Sequence, residues 1–250
     1  MLVKFAVMGS PISHSLSPTL HEAAFGFLEI EASYEKVEKS KLTAIDLDSY
    51  AGLSLTMPLK LDAFELADSH DDESKLTGVS NTLLISNSRV TALNTDVYGI
   101  VASVDSLEIK SVQIIGTGAT AKSAAVAMRD KNLSFSGRNP EKLQAIDDWA
   151  KQLDISIAEH DQVDLVIDTT PGNVESIYPT HDYVLDVAYS SSRNSGNPKL
   201  ISGYEMLLHQ AVAQSTAFSS LLGKPKIDLE QLTSIMRVAL VGRVGEWSNA

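Results

Sequence analysis

Short apolar runs alternate along the chain with longer stretches of helical spacing, the pattern of βαβ units and of an α/β fold. Lys4 to Met8 predicts a buried strand that ends in the turn at Gly9. From Pro18 to Leu28, the residues Leu20, Ala23, Ala24, Phe27 and Leu28 recur at helical spacing. Tyr34 to Val37 and Gly52 to Met57 predict two more strands, the second stopping at Pro58, and Lys60 to Ala67 predicts a helix. Val79 to Ile85 and Ser88 to Leu93 predict a hairpin about the polar tip Ser86-Asn87-Ser88.

The middle of the chain changes character. Ser111 to Ile115 is a β-rich run leading into Gly116-Thr117-Gly118-Ala119-Thr120-Ala121, with a helix predicted from Lys122 to about Arg129. Ser134 to Ser136, Leu165 to Ile167 and Tyr183 to Leu185 are short strands; the last two are wholly apolar or aromatic, as in a parallel sheet covered on both faces. Tyr204 to Leu222 and Leu229 to Val241 predict C-terminal helices. There is no internal repeat. The expected division is an N-terminal α/β region, residues 1–98, completed by helices within 204–250, and a central region, residues 99–203.

Composition narrows the function. The chain has 250 residues, 44% hydrophobic and 21% charged, which is ordinary for a globular protein and long enough for a sizeable core. A net charge of −12 argues against nucleic acid or an anionic membrane as partner. The absence of Cys removes disulfides, thiolate metal sites and cysteine nucleophiles, and no pair among the six His has the helical His-x-x-x-His spacing of a zinc site. No apolar run approaches the ~18 residues of a membrane span, and Met1 to Gly9 is too short for a secretory signal. The expectation is a cytoplasmic enzyme of small metabolites, without metal.

Gly116-x-Gly118-x-x-Ala121 lies between a predicted strand and a predicted helix, the context that a dinucleotide fingerprint requires. Gly116 allows the tight turn, Gly118 lets backbone approach a pyrophosphate, and Ala121 permits close contact of helix and sheet. Amides at the helix start would hold the phosphates. The next strand ends at Gly137-Arg138-Asn139, where an NAD enzyme would place a carboxylate for the ribose hydroxyls. Arg138, with Lys142 one turn on, suits a 2′-phosphate instead, so NADP is the expected cofactor. Near the N-terminus, the hydroxyls of Ser15 and Ser17 precede a helix and suit an anion or a polyol; Ser17 before Pro18 also reads as an N-cap followed by proline.

The string Gly9-Ser10-Pro11-Ile12-Ser13-His14-Ser15-Leu16-Ser17-Pro18-Thr19-Leu20-His21 is similar to the start of the shikimate dehydrogenase family. The resemblance continues in family order from about residue 5 to 222. It includes Ser54-Leu55-Thr56-Met57-Pro58-Leu59-Lys60, Gly78-Val79-Ser80-Asn81-Thr82-Leu83, Asn94-Thr95-Asp96-Val97-Tyr98-Gly99, the glycine turn, Asp186-Val187-Ala188-Tyr189 and Gly203-Tyr204-Glu205-Met206 through Gln210-Ala211. The chain departs from the family pattern at Ser54 (Asn in the family), Leu93 and Ala119 (both Gly), in the loop Asp168-Thr169-Thr170-Pro171-Gly172, and at Ser191 and Ser192, where Pro is common.

The resemblance implies two α/β domains with a cleft between them: a substrate domain, residues 1–98 with 204–250, and a Rossmann-like NADP domain, residues 99–203. It implies NADPH-dependent reduction of 3-dehydroshikimate to shikimate in aromatic amino-acid biosynthesis, with quinate or dual-specificity dehydrogenase as the alternative and a non-catalytic NADP-binding regulatory module as a remoter one. Reducing a ring ketone needs a proton source at its oxygen; Lys60 is the expected acid, becoming base in oxidation, with Asp96 orienting it and bonding a ring hydroxyl. Ser15 and Ser17 would bind the carboxylate, Asn81 and Thr56 the ring hydroxyls, and Tyr189 and Gln210 would close the site. Gly116, Thr117, Gly118, Ala119, Thr120, Ala121, Arg138, Asn139 and Lys142 would hold the nucleotide, with Val187, Gly203 and Met206 beside the nicotinamide. The expected partner is a small molecule, with neither nucleic acid nor membrane, acting on a monomer or homodimer.

Overall fold

A computed structural model describes residues 2–159, 161–172, 178–189, 199–224 and 226–247; Ser191 and Ser192 lie outside the described residues. The chain divides into two compact units, one of Met1–Thr95 with Leu208–Glu246, the other of Asp96–Leu207 with Trp247–Ala250.

The first unit begins with β1 (Val3–Gly9), α1 (Ser17–Phe27), β2 (Ala32–Glu38), β3 (Gly52–Leu55), α2 (Lys60–Leu66), β4 (Ser69–His70), α3 (Asp72–Thr77), β5 (Thr82–Ser86) and β6 (Arg89–Leu93). Its six-stranded sheet has the order β2-β1-β3-β5-β6-β4. The pairs of β1 with β2 and β3 are parallel, whereas the β5–β6 hairpin joins β3 antiparallel. β1 is apolar without alternation because both faces of the sheet are covered. Phe5 and Val7 pack with Phe25, Tyr34 and Phe218 on one face, while Ala6 and Met8 pack with Leu53, Leu55, Leu59 and Ala63 on the other.

After α4 (Thr95–Val104), the second unit contains β7 (Ser111–Ile115), α5 (Ala119–Ala127), β8 (Asn132–Ser136), α6 (Pro140–Gln152), β9 (Gln162–Asp168), β10 (Thr180–Asp186) and β11 (Leu200–Ser202). The five strands are all parallel, in the order β11-β10-β9-β7-β8. The chain passes from β7 to one side, then crosses to the other, so the strand order reverses between β7 and β9; ligands of open α/β sheets bind beyond the carboxyl ends at such a point. Val112, Ile114, Leu165 and Ile167 face one core with Ala121, Ala124 and Ala125 of α5; Ile115, Val163, Val166 and Val184 face a second.

Two helices end the chain. α7 (Gly203–Leu221) contributes its first residues to the second unit and the rest to the first, and α8 (Leu229–Val244) packs on α1 with Leu232, Met236 and Leu240 buried one turn apart. Among the described residues, no helix is long and apolar enough to cross a membrane.

Some expected boundaries move. β3 stops at Leu55, because Leu59 N–H closes a turn onto the Thr56 carbonyl at 2.8 Å. α5 starts at Ala119, three residues before the apolar pattern suggests, directly behind the cap position Gly118. Periodicity does not reveal α3, a helix of 6 residues; its ends are set by Asp71 Oδ1, which accepts from Ser74 N–H at 2.7 Å, and by left-handed Gly78.

Candidate active site

The serine-rich loop after β1 is tied down by the strands beside it. Ile12 N–H donates to Glu38 Oε2 at 2.9 Å, and Lys36 Nζ donates to the Ser13 carbonyl at 2.7 Å. Ser15 and Ser17 are both buried, and Ser15 Oγ donates to Ser17 Oγ at 3.2 Å. The expected N-cap role of Ser17 is corrected. Leu16 takes the cap position, Ser17 is already helical, and Ser17 N–H meets Ser15 Oγ at 3.3 Å. The hydroxyl of Ser17 is thereby directed to its neighbours and not to the helix end.

Asn81 precedes β5 and is 2% exposed. Its Oδ1 accepts from Thr95 N–H and from Thr82 Oγ1, each at 2.9 Å, while Nδ2 donates to Thr95 Oγ1 at 2.9 Å and to Gln210 Oε1 at 3.4 Å. The structure therefore brings together Asn81 and Gln210, two of the predicted substrate residues, 129 positions apart. Thr56 stands just past β3, half-buried, with its backbone N–H on the Met8 carbonyl at 2.9 Å. Lys60 opens α2, half-buried, and its carbonyl accepts from Ser80 N–H at 2.9 Å. Asp96 lies in the first turn of α4 and is buried.

A polar cluster that the sequence reading did not single out lies beneath these residues. Tyr34 OH donates to Ser54 Oγ at 2.6 Å, Ser54 donates to Gln214 Oε1 at 2.8 Å, and His21 Nε2 lies 3.1 Å from the same oxygen. His21 and Tyr34 stack with centroids 4.4 Å apart. Burial drives the His21 pKa down to about 3, opposed only in part by the Gln214 hydrogen bond. Burial also pushes the Tyr34 phenol up, against its hydrogen bonds with Ser54 and Ser17. The available signal was the spacing of Gln210 and Gln214, one turn apart on α7.

In the second unit, Gly116 follows β7 with φ +115°, and a Cβ there would stand 2.3 Å from Thr169 Oγ1 at the end of β9. Gly118 differs: a Cβ would meet nothing within 4 Å, so open space lies before the N-terminus of α5. That cradle of helix amides fits a phosphate. Thr117, Ala119 and Thr120 complete the turn, and Ala121 is fully buried against the sheet. A Cβ on Gly137 would be 3.5 Å from Thr117 Cγ2, which places the loop after β8 beside the glycine turn. Arg138 on that loop and Lys142 in the first turn of α6 are exposed, and Asn139 caps α6, its Oδ1 accepting from Lys142 N–H at 3.0 Å. Gly203 lies against the end of β10, where a Cβ would be 2.5 Å from the Asp186 carbonyl and 2.9 Å from Val187 backbone. Tyr189 packs on Tyr204 at 5.5 Å, and Met206 is buried in the core. Among the described residues, no group of three or more His, Asp or Glu is arranged to hold a metal ion.

The parallel sheet, its reversal point and the glycine turn over β9 define a dinucleotide-binding α/β protein of two units. Residues 7–83 match the shikimate dehydrogenase substrate binding domain. The chain belongs to the shikimate dehydrogenase family: it is 31% identical over 258 residues to the shikimate dehydrogenase (NADP(+)) of Leptospira interrogans, covering 87% of this chain and 89% of that one. The enzyme of the same name from Ignicoccus hospitalis is 32% identical over 69% of this chain and 71% of its own. The crystal structure of Mycobacterium tuberculosis shikimate dehydrogenase superimposes with a TM-score of 0.76 at 26% identity, covering 94% of this chain and 99% of that chain.

Proposed function

We propose that this chain catalyses the NADPH-dependent, reversible reduction of 3-dehydroshikimate to shikimate, as a cytoplasmic biosynthetic enzyme acting on a small molecule. One observation carries the reading beyond the family likeness. The Asn81–Gln210 amide pair, with Thr95 at its side, is a buried hydrogen-bonding set of the kind that recognises hydroxyl groups on a ring. The assignment of residues 1–98 with 204–250 to substrate, and of 99–203 to nucleotide, belongs to the same proposal.

In this reading, Ser15 and Ser17 donate to the substrate carboxylate, and Asn81, Thr56 and Gln210 hold the ring hydroxyls. The cradle before α5 receives the pyrophosphate on residues 116–121, and the loop after β8 receives a 2′-phosphate on Arg138, with Asn139 and Lys142 adjacent. Val187, Gly203 and Met206 border the nicotinamide, and Tyr189 covers the substrate. NADPH, when bound, supplies the hydride for the carbonyl carbon. Lys60 gives the proton to the carbonyl oxygen in reduction and takes it back in oxidation, and Asp96 orients Lys60 and bonds a ring hydroxyl. The site exists to hold one ring in register while that proton moves.

Quinate differs from shikimate by an added ring hydroxyl at the carboxylate-bearing carbon, so side-by-side turnover of both with NADP+ and NAD+ tests the assignment. Shikimate with NADP+ is expected to give the highest kcat/KM. A faster reaction of quinate with NAD+ would replace this reading by its quinate alternative.

A further inference from the structure

Gln214 has no part in the reaction above, yet it is 2% exposed and fully engaged at both ends of its carboxamide. Nε2 donates to the Asn81 carbonyl at 3.1 Å and to Thr82 Oγ1 at 2.9 Å, and Oε1 accepts from Ser54 Oγ at 2.8 Å. A backbone carbonyl can only accept, so the amide has a single orientation. That polarity passes to its neighbours. His21 must carry its proton on Nε2, 3.1 Å from Oε1, leaving Nδ1 to accept from Ser215 Oγ at 3.0 Å. Thr82, accepting from Gln214, gives its own hydrogen to Asn81 Oδ1 at 2.9 Å. Thr95 N–H donates to the same oxygen at 2.9 Å. With Oδ1 held in this way, the Nδ2 edge of Asn81 is the one turned toward Gln210 Oε1, while Thr95 Oγ1 sits between the two ends, 2.9 Å from Nδ2 and 3.1 Å from Oδ1.

We propose that Gln214 is a positioning residue of the substrate site: through Thr82 and the Asn81 backbone it fixes which edge of the Asn81 carboxamide a ring hydroxyl meets. The proposal rests on the reading of Asn81 as a substrate residue. Gln214 touches no substrate itself. It removes the rotational freedom that Asn81 would otherwise lose on binding, and so acts on affinity more than on the chemical step.

Gln214→Met keeps the length and burial of the side chain but removes its donors and acceptor. The expected result is a rise of about tenfold in KM for shikimate, with kcat and KM for NADP+ within about twofold. In an Asn81→Ala background the same change should add less than about twofold, because the group it positions is gone. A purely structural amide would lower the melting temperature and act equally in both backgrounds. Equal effects, or an unchanged KM, overturn the proposal. Thr82→Val, nearly isosteric but without the hydroxyl, cuts the same link and decides the matter if Gln214→Met does not fold: a similar KM rise supports the proposal, and none overturns it. If Asn81→Ala alone leaves KM unchanged, the substrate assignment of Asn81 fails and takes the proposal with it. A KM rise in Asn81→Ala with additive Gln214→Met sinks only the positioning role.

Discussion

Lys60 is the residue on which the proposed chemistry turns. Its backbone is fixed by Ser80 N–H, and its place at the first position of α2 follows from the Thr56–Leu59 turn. Lys60→Ala is expected to lower turnover by ~10²–10⁴ while shikimate binding changes little, as measured by kcat against a binding titration. Retained turnover in a folded variant would remove Lys60 from the mechanism. His21 supports a different expectation. Its unfolded-state pKa is near the ordinary 6.5, and its native value near 3, so below 6.5 the unfolded chain takes up a proton that the native site refuses. Its contribution is present above pH 6.5 and is lost as pH falls toward 3, at up to about 1.4 kcal/mol per pH unit. Melting temperatures of the wild type and of His21→Asn, compared from pH 7.5 to 5, should converge on acidification; parallel curves would exclude a neutral buried His21. His21 is visible in the sequence as part of the first motif, but nothing local announces that its ring would be dry.

At the scale of elements, the glycine turn separates two roles that one motif combines. Gly116 is required by the fold: its φ of +115° and the 2.3 Å approach of Thr169 Oγ1 leave no room for a Cβ. Gly118 is not, since a Cβ there meets open space. Gly118→Ala should therefore leave the melting temperature nearly unchanged while weakening NADP+ by about tenfold or more through the lost approach to phosphate, read by cofactor titration. A drop in stability at unchanged affinity would contradict the phosphate assignment. The inner strands of both sheets were legible in the sequence, and the Gly-x-Gly turn by its place between strand and helix, but the edge strands β4 and β11, of two and three residues, were not. Helix α3 was not, because a single capped turn and a half has too few residues to show a period.

For the whole molecule, each unit has a sheet covered on both faces and a core of its own. If the two are specialised as proposed, the ligands should act on different amides. Hydrogen exchange with shikimate is expected to slow residues 15–17, 54–60 and 81–82, and with NADP+ to slow 116–121 and 137–142. The reverse pattern would undo the division of labour.

The order of motifs, the apolar strands and the pairing of a glycine turn with Arg138 are local properties, carried by neighbouring residues, and the sequence alone determined them. The strand order of the sheets and the polarity of the Tyr34–Ser54–Gln214–Asn81 chain were decided only in three dimensions. Ser54 meets Gln214 across 160 positions and Gln214 meets the Asn81 carbonyl across 133. Periodicity reports which face of an element is buried; it carries no record of which distant donor will find which acceptor once that face is closed.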